Sequence, residues 1–415
     1  MSRRDAFAPD AGMLTTDQAL AALLGAALPV RGSRPVGLAR ALGRVLAEDI
    51  VAPRAVPPHD NAAVDGYAVF AADLDPERAV RLPVTGRIPA GRPLDRPARR
   101  GEALRIFTGA PLPPGPDTIL PQEVCDEADG MVALPPGKAG ANLRRAGEDI
   151  RAGAVILHRG TRLRPQELGL AASIGLARLR VFRPVRVALF STGDELRDPG
   201  AAAGAGAIYD SNRFVLHGLL AGLGCAVTDL GIVPDRLEAV TDTLAGAGRA
   251  HDLVLTSGGV SAGDEDHVRA AVSALGTLTF QRIAIKPGRP LAFGRVGAAA
   301  FLGLPGNPVA SMLTFLIFAR PLLLTLAGAA AVTPRRYPVV AGFAATKRPG
   351  RREYLRATLR RTADGALVAQ RFAVEGSGIL TSMTASDGLI ELPESLAAVS
   401  PGDRVDFLPF SELLG

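Results

Sequence analysis

The chain has 415 residues, more than one hydrophobic core usually serves, so several domains are expected. Hydrophobic residues at 47% and charged residues at 21% match ordinary globular usage, and 47 glycines with 33 prolines, lacking any collagen-like period, point to frequent turns. Basic residues outnumber acidic ones by 47 to 41, mostly as scattered arginines, and Trp is absent; that balance argues against nucleic acid and leaves an anionic small molecule or plain solubility.

In chain order, Ser2-Arg3-Arg4 has the look of a twin-arginine signal. However, Asp5, Asp10 and Asp17 interrupt the stretch where an apolar region should begin, so export is not expected. Thr15-Thr16-Asp17 followed by residues 18–28 reads as a capped amphipathic helix ended by Pro29. From 51 to 140 short apolar runs such as 81–84 and 103–107 are broken every few residues by Pro and Gly, the texture of a small β-domain. The middle third alternates apolar runs at 185–190, 226–233, 252–256 and 298–304 with helical patterns at 212–223, 236–247 and 265–275. Gly224, Gly248 and Gly276 stand where C-terminal glycine stops belong. This predicts a central, mostly parallel sheet with helices on both faces, interrupted by a hairpin of 282–285 and 291–293 around Pro287-Gly288. Residues 299–332 are apolar enough to suggest a membrane span, but Pro305-Gly306-Asn307-Pro308 and Arg320-Pro321 favour a buried strand, turn and helix. After Thr333 short alternating strands such as 354–359 predict a small C-terminal β-domain. Cys125 and Cys225 lie far apart and outside any CxxC pattern, which fits a reducing compartment, and the cytoplasm is the expected location.

Four strand ends run at once into polar or glycine-rich loops: Ser191-Thr192-Gly193-Asp194-Glu195, Pro234-Asp235, Ser257 to Asp264, and Pro305-Gly306-Asn307-Pro308. In an open parallel sheet the carboxyl ends of the strands share one rim, so these loops should converge there. Ser257-Gly258-Gly259-Val260-Ser261-Ala262-Gly263 lies between a strand and a helix, where backbone N–H groups could approach an anion; it lacks Gly-Lys-Ser/Thr, and by itself it is equally a tight turn. Asp264, Glu265 and Asp266 open a helix and could simply complement its dipole. Glu195 and Asp235 on the same rim favour a cation instead, and oxygen ligands suggest Mg2+. Lys286 and Arg289 sit at a Pro-Gly turn where solvated cations are also normal, and His59 shows no ligand spacing.

Together and in order, these segments resemble the molybdopterin molybdenumtransferase (MoeA) family, which is related to the gephyrin E domain. The matching stretches are DNAAVDGYAV at 61–70, RIFTGAPLPPG at 105–115, NLRRAGEDI at 142–150, VALFSTGDEL at 187–196, IYDSN at 208–212, LTSGGVSAGDED at 255–266, IAIKPGRP at 283–290 and FLGLPGNPV at 301–309. The resemblance implies a multidomain α/β plus β protein with a molybdopterin-binding α/β/α domain and a C-terminal β-barrel-like domain. Its units are expected at 14–56 with 142–182 (N-terminal, helical and linker), 57–141 (β-rich insertion), 183–330 (α/β) and 331–415 (C-terminal β). It further implies a homodimeric enzyme inserting molybdate into adenylylated molybdopterin, with Mg2+-dependent hydrolysis and release of AMP, next to an upstream molybdopterin adenylyltransferase. No membrane or nucleic-acid partner is expected.

By position, the resemblance makes Asp65, Thr108, Glu195, Asp235, Asp266 and Lys286 catalytic, with Asp65 and Thr108 closing the cleft from another domain. It makes Glu195, Asp235 and Asp266 the metal carboxylates. Ser257, Gly258, Gly259, Ser261, Gly263, Pro305, Gly306, Asn307, Arg289, Arg356 and Ser377 become substrate contacts, with Lys286, Arg289, Arg356 and Ser377 receiving molybdate. Three departures stand out: Arg289 where Lys is common, Arg282 where some members have Lys, and Ala310 where Ser is common, with Ser311 one position along. Two other readings share the fold: a hydrolase of pyridine nucleotides or sugar phosphates, which should lack the Asp-Gly-Tyr-Ala and Thr-Gly-Ala-Pro segments, and a non-catalytic scaffold, which should lack the rim carboxylates.

Overall fold

The computed structural model describes residues 13–259 and 267–414. Its centre is a six-stranded sheet made of β1 (Arg186–Thr192), β2 (Ala226–Val233), β3 (Leu253–Ser257), β4 (Gly276–Arg282), β5 (Pro290–Val296) and β6 (Ala299–Leu304). The spatial order is β2-β1-β3-β6-β5-β4. The first four run parallel, β5 runs against them and β4 runs against β5, so five of the six strands share one direction, giving the mostly parallel sheet expected from alternating apolar runs and helices.

Both faces of the inner parallel strands β1, β3 and β6 are buried, which is why these strands read as continuous apolar runs, whereas the edge strand β2 is largely exposed. In β1 the side chains alternate: Val187 and Leu189 enter one core, Ala188 and Phe190 the other. The first core takes α1 (Thr16–Gly25), α2 (Ser211–Gly222) and the helix opening at Pro308; the second takes α3 (Leu237–Ala250) and α4 (His267–Leu275). Helix α1 starts with a capping box, Thr15 accepting from the Gln18 N–H while the Gln18 side chain accepts from the Thr15 N–H. It ends at Gly25, four residues before Pro29. Ala19 and Leu23 bury in the core of the central unit, so α1 packs there rather than with the N-terminal unit in which its sequence position put it.

The helix from Pro308 to Leu326 is long and apolar enough to span a membrane, yet nearly all of it is buried within the protein, and a π-helical turn at Phe315–Ala319 interrupts it. Buried Arg320 is tied down by the carbonyls of Val332 and Glu412. This is the buried strand, turn and helix that the prolines indicated.

One of the three glycines differs from the sequence reading. Gly224, with φ +75°, does end α2. Gly248 instead lies inside α3, where a Cβ would come within 2.6 Å of the Val296 carbonyl oxygen, and Gly276 opens β4, where a Cβ would meet the Arg295 carbonyl at 2.0 Å. Gly248 is there for close backbone approach and not as a helix stop, whereas Gly276 directly follows the last residue of α4 and also permits a close approach.

Ser33–Gly37 pairs antiparallel with Arg178–Phe182, and Ile50–Val51 with Val155–Leu157, so the chain leaves this unit and returns to it. Strands dominate here, with one helix at Pro165–Ser173. The six-stranded sheet built from Gly66–Val69, Val80–Ile88, Ala103–Ile106, Thr118–Pro121, Asp126–Ala128 and Met131–Leu134 is the β-rich insertion. In the C-terminal region Tyr337–Ala341, Arg352–Arg361, Leu367–Arg371, Gly388–Leu392 and Arg404–Pro409 close into a five-stranded barrel, because Arg352–Arg361 pairs with both Leu367–Arg371 and Gly388–Leu392.

The hairpin expected around Pro287-Gly288 forms with different limits. β4 and β5 pair from Gly276↔Val296 to Arg282↔Pro290. Residues 283–289 leave the sheet, and Ile285–Lys286 adds to Arg352–Glu353 of the barrel. One connection thereby carries Lys286 from the central sheet to the C-terminal unit.

Candidate functional site

Parallel register aligns the strand ends: Thr192 lies beside Val233, Ser191 beside Ser257, and Ser257 beside Leu304. The four loops leaving these ends line one cleft of about 600 Å3, together with segment 285–290 and Ser377. Thr192, Gly193 and Glu195 come from the loop after β1, Asp235 from that after β2, Gly258 and Gly259 from that after β3, and Pro305, Gly306 and Asn307 from that after β6. Strand order places Asp235 and Glu195 toward the β2 end of the rim. Lys286 and Arg289 emerge from the β4–β5 connection, on the far side of β6. The cleft thus has an acidic wall and a cationic wall.

The glycines of the floor are conformationally required. Gly258 (φ +89°) and Gly259 (φ +64°) adopt left-handed backbone, and a Cβ would press on the Thr192 carbonyl at 2.8 Å or on Val268 at 2.6 Å. Ser257 is buried behind that floor: its hydroxyl accepts from the Asn212 amide at 2.8 Å, and the same amide donates to the Gly306 carbonyl at 2.7 Å. Asn212 therefore fastens two cleft loops to each other, while Ser257 supports the floor from below and is absent from the cleft lining. On the acidic wall the Thr192 hydroxyl donates to Asp235 at 3.3 Å. Asn307 occupies the N-cap position of the helix beginning at Pro308, without a side-chain capping bond, and that helix turns the positive end of its dipole toward the cleft. Ala310 faces the cleft, and Ser311 points inward, its hydroxyl 3.5 Å from that of Ser257, so the one-residue shift of the serine removes a hydroxyl from the lining.

On the cationic wall the Lys286 ammonium donates to Glu353 at 3.2 Å and lies 3.6 Å from Glu375. Beside it a second chamber of about 320 Å3 is lined by Lys286, Glu353, Arg356, Glu375 and Ser377. Arg356 is buried; it donates to the Ser382 hydroxyl at 2.9 Å and to the carbonyls of Val374 and Gly376 at 3.3 and 3.2 Å. Burial holds its guanidinium below the usual pKa, with the Glu375 charge acting the other way. Arg356 thus shapes the loop carrying Ser377 as much as it charges the chamber. Glu353 and Glu375 have no distinguishing pattern in the sequence, since their relation to Lys286 exists only through the pairing of Ile285–Lys286 with the barrel.

Asp65 and Thr108 do not line this cleft. They meet in the β-rich insertion, where the Thr108 N–H and hydroxyl both donate to the Asp65 carboxylate at 2.7 Å and hold its pKa below the usual range. Ser261, Gly263 and Asp266 lie outside the described residues. Among the described residues no group of three or more His, Cys, Asp or Glu side chains is gathered to hold a metal, so the acidic wall consists of Glu195 and Asp235.

Three family models match the chain: the MoeA N-terminal region (domain I and II) over 14–175, a probable molybdopterin binding domain over 188–325, and the MoeA C-terminal region (domain IV) over 338–410. A molybdopterin molybdenumtransferase of Haemophilus influenzae is 38% identical over 408 residues, covering 97% of this chain and 100% of that one. The chain belongs to the MoeA family of molybdopterin molybdenumtransferases. It is accordingly an enzyme of the transferase class. Another MoeA-family relative, molybdopterin molybdenumtransferase 2 of Mycobacterium tuberculosis, is 37% identical over 91% of this chain and 95% of its own. A crystal structure of the molybdopterin biosynthesis MoeA protein of Pyrococcus horikoshii superposes with a TM-score of 0.83 at 28% identity, covering 96% of this chain and 100% of that one.

Proposed function

We propose that this molybdopterin molybdenumtransferase inserts molybdate into adenylylated molybdopterin while the adenylate phosphoanhydride is hydrolysed and AMP leaves, closing molybdenum cofactor biosynthesis. The observation that carries this reading is the division of one cleft into a carboxylate wall, Glu195 and Asp235, and a cation wall, Lys286 and Arg289. A doubly charged oxyanion needs fixed cations and donors, whereas a phosphoanhydride needs its developing charge neutralised from another side.

The acidic wall offers only hard oxygen donors, the two carboxylates and the Thr192 hydroxyl bonded to Asp235, which suits Mg2+. Glu195 and Asp235 would hold the ion, with Asp266 as the further carboxylate implied by the sequence; when bound, it supplies Lewis-acid neutralisation of phosphate oxygens. The chain's own groups do the rest. Gly258, Gly259 and Gly306 let the ligand approach the backbone without a Cβ in the way, and the helix dipole at Asn307 favours anionic groups. Lys286 and Arg289 orient the oxyanion at the side away from the carboxylates, with Ser377 offering a hydroxyl donor between the cleft and its side chamber.

We further propose that the enzyme acts as a cytoplasmic homodimer receiving its substrate from a molybdopterin adenylyltransferase. Its two cysteines are free thiols, which suits a reducing compartment. Incubation of the full chain with adenylylated molybdopterin, Mg2+ and molybdate should release AMP in a molybdate-dependent way. Hydrolysis that proceeds equally well without the oxyanion would instead favour a general phosphoanhydride hydrolase on this fold.

A further inference from the structure

The chamber beside Lys286 already contains an anion of the protein's own. Glu375 extends from the 372–380 loop with its side chain about half exposed. One of its carboxylate oxygens lies 3.6 Å from the Lys286 ammonium and the other accepts from Arg371 at 3.1 Å. Its charge also acts on the buried Arg356 guanidinium. The loop is not free to swing at random, because Arg356 clamps the carbonyls on either side of Glu375, those of Val374 and Gly376. Three cations thus face one carboxylate held in place by its neighbours.

The second carboxylate at Lys286, Glu353, differs in character. It is buried, belongs to the barrel strand Arg352–Arg361, and its strand pairs directly with Ile285–Lys286. Glu353 is built to anchor the lysine, whereas Glu375 sits where it can exchange with a solute. Half-exposed ion pairs of this kind are weak and side-chain entropy opposes them, so a doubly charged oxyanion can compete for the same cations.

We propose that Glu375 is a built-in competitor of the oxyanion: its carboxylate occupies the corner formed by Lys286, Arg371 and Arg356, and binding of molybdate displaces it. This rests on the reading of the cationic wall as the oxyanion site, and it adds Arg371 to the groups that receive the anion. Competition of this sort sets a threshold, since a singly charged solute gains no more from the cations than the singly charged carboxylate it must replace, whereas a doubly charged oxyanion does. Glu375 therefore tunes affinity and selectivity without touching the carboxylate wall.

The test is equilibrium dialysis of molybdate alone against the full chain, E375Q and R371A, combined with steady-state AMP release. E375Q keeps the size of the side chain and leaves the carbonyl contacts of Arg356 in place. It should bind molybdate about three- to tenfold more tightly, the effect of losing one or two half-exposed ion pairs. Its KM for molybdate should fall with little change in kcat, and R371A should bind more weakly than the unaltered chain. Unchanged or weakened binding by E375Q, with the unaltered chain binding molybdate normally, overturns the competitor role and leaves the oxyanion site standing. Failure of the unaltered chain and both variants to bind molybdate at all overturns the oxyanion reading of this wall, and the competitor falls with it.

Discussion

Asp235 owes its place in the cleft to the strand before it, and its hydrogen bond from Thr192 joins the β1 and β2 loops on the acidic wall. Asp235→Asn keeps the shape and removes half of the negative charge that the described wall offers a divalent ion. The magnesium dependence of AMP release should shift to about 10- to 100-fold higher concentration, read from initial rates across a magnesium titration. An unshifted dependence would remove Asp235 from the proposed metal site. At this scale the sequence was informative where chemistry and position coincide: Glu195, Asp235, Gly258, Gly259 and the Pro305-Gly306-Asn307 turn all lie just after strands of the central sheet. Ser257 is the last residue of β3, yet it points beneath the floor to Asn212, because side chains alternate along a strand and a one-residue step exchanges cleft for core. Glu353 and Glu375 were illegible for another reason, since nothing local marks a glutamate whose partner is some 70 to 90 residues away.

Helices and strands of the central unit were readable from period and turn residues, but the reason for a glycine was not. Gly248 sits inside α3 with the Val296 carbonyl 2.6 Å from where a Cβ would be. A β-branched residue gains little helix propensity over Gly, while overpacking against backbone costs about 1–3 kcal/mol. Gly248→Val should therefore lower the midpoint of urea unfolding, whereas the same change at Gly246, which has open space, should not.

A second element-level prediction concerns the start of β3. Burial alone would raise the pKa of Asp252, but a two-pronged ion pair with Arg183 at 2.6 and 2.8 Å and the Arg186 N–H at 2.8 Å outweigh it and bring the carboxyl to about 2. A depressed folded pKa contributes stability in full above the unfolded value of about 3.9, and that contribution is lost as pH falls through about 2. Asp252→Asn should cost about 2 kcal/mol near neutrality and flatten the acid limb of the stability profile between those two values. Because Arg183 also donates to the Arg31 carbonyl at 2.9 Å, this cluster ties the central sheet to the segment entering the N-terminal unit.

At the scale of the whole molecule, the local pattern showed which segments are α/β and which are β, while the pairings joining distant segments had to come from the structure. The return of 178–182 onto 33–37, and the addition of Ile285–Lys286 to the barrel, bring together parts of the chain that share no local signal. The same scale exposes a gap in the site: the Asp65–Thr108 pair is held firmly by two hydrogen bonds, yet it does not line the cleft of its own chain. If the pair serves catalysis in a homodimer, one economical arrangement has the insertion of one copy meeting the cleft of the other. Co-expression of an Asp65→Asn chain with an Asp235→Asn chain distinguishes this from closure within one chain. With random pairing about half of the dimers are mixed, and each mixed dimer would contain one cleft with Asp235 intact and an intact Asp65 supplied by its neighbour. Molybdate-dependent AMP release should recover to about one quarter of the unaltered level, although each variant alone is nearly inactive. Closure within a chain would leave every cleft with one damaged residue, and the mixture would then be no more active than the variants alone.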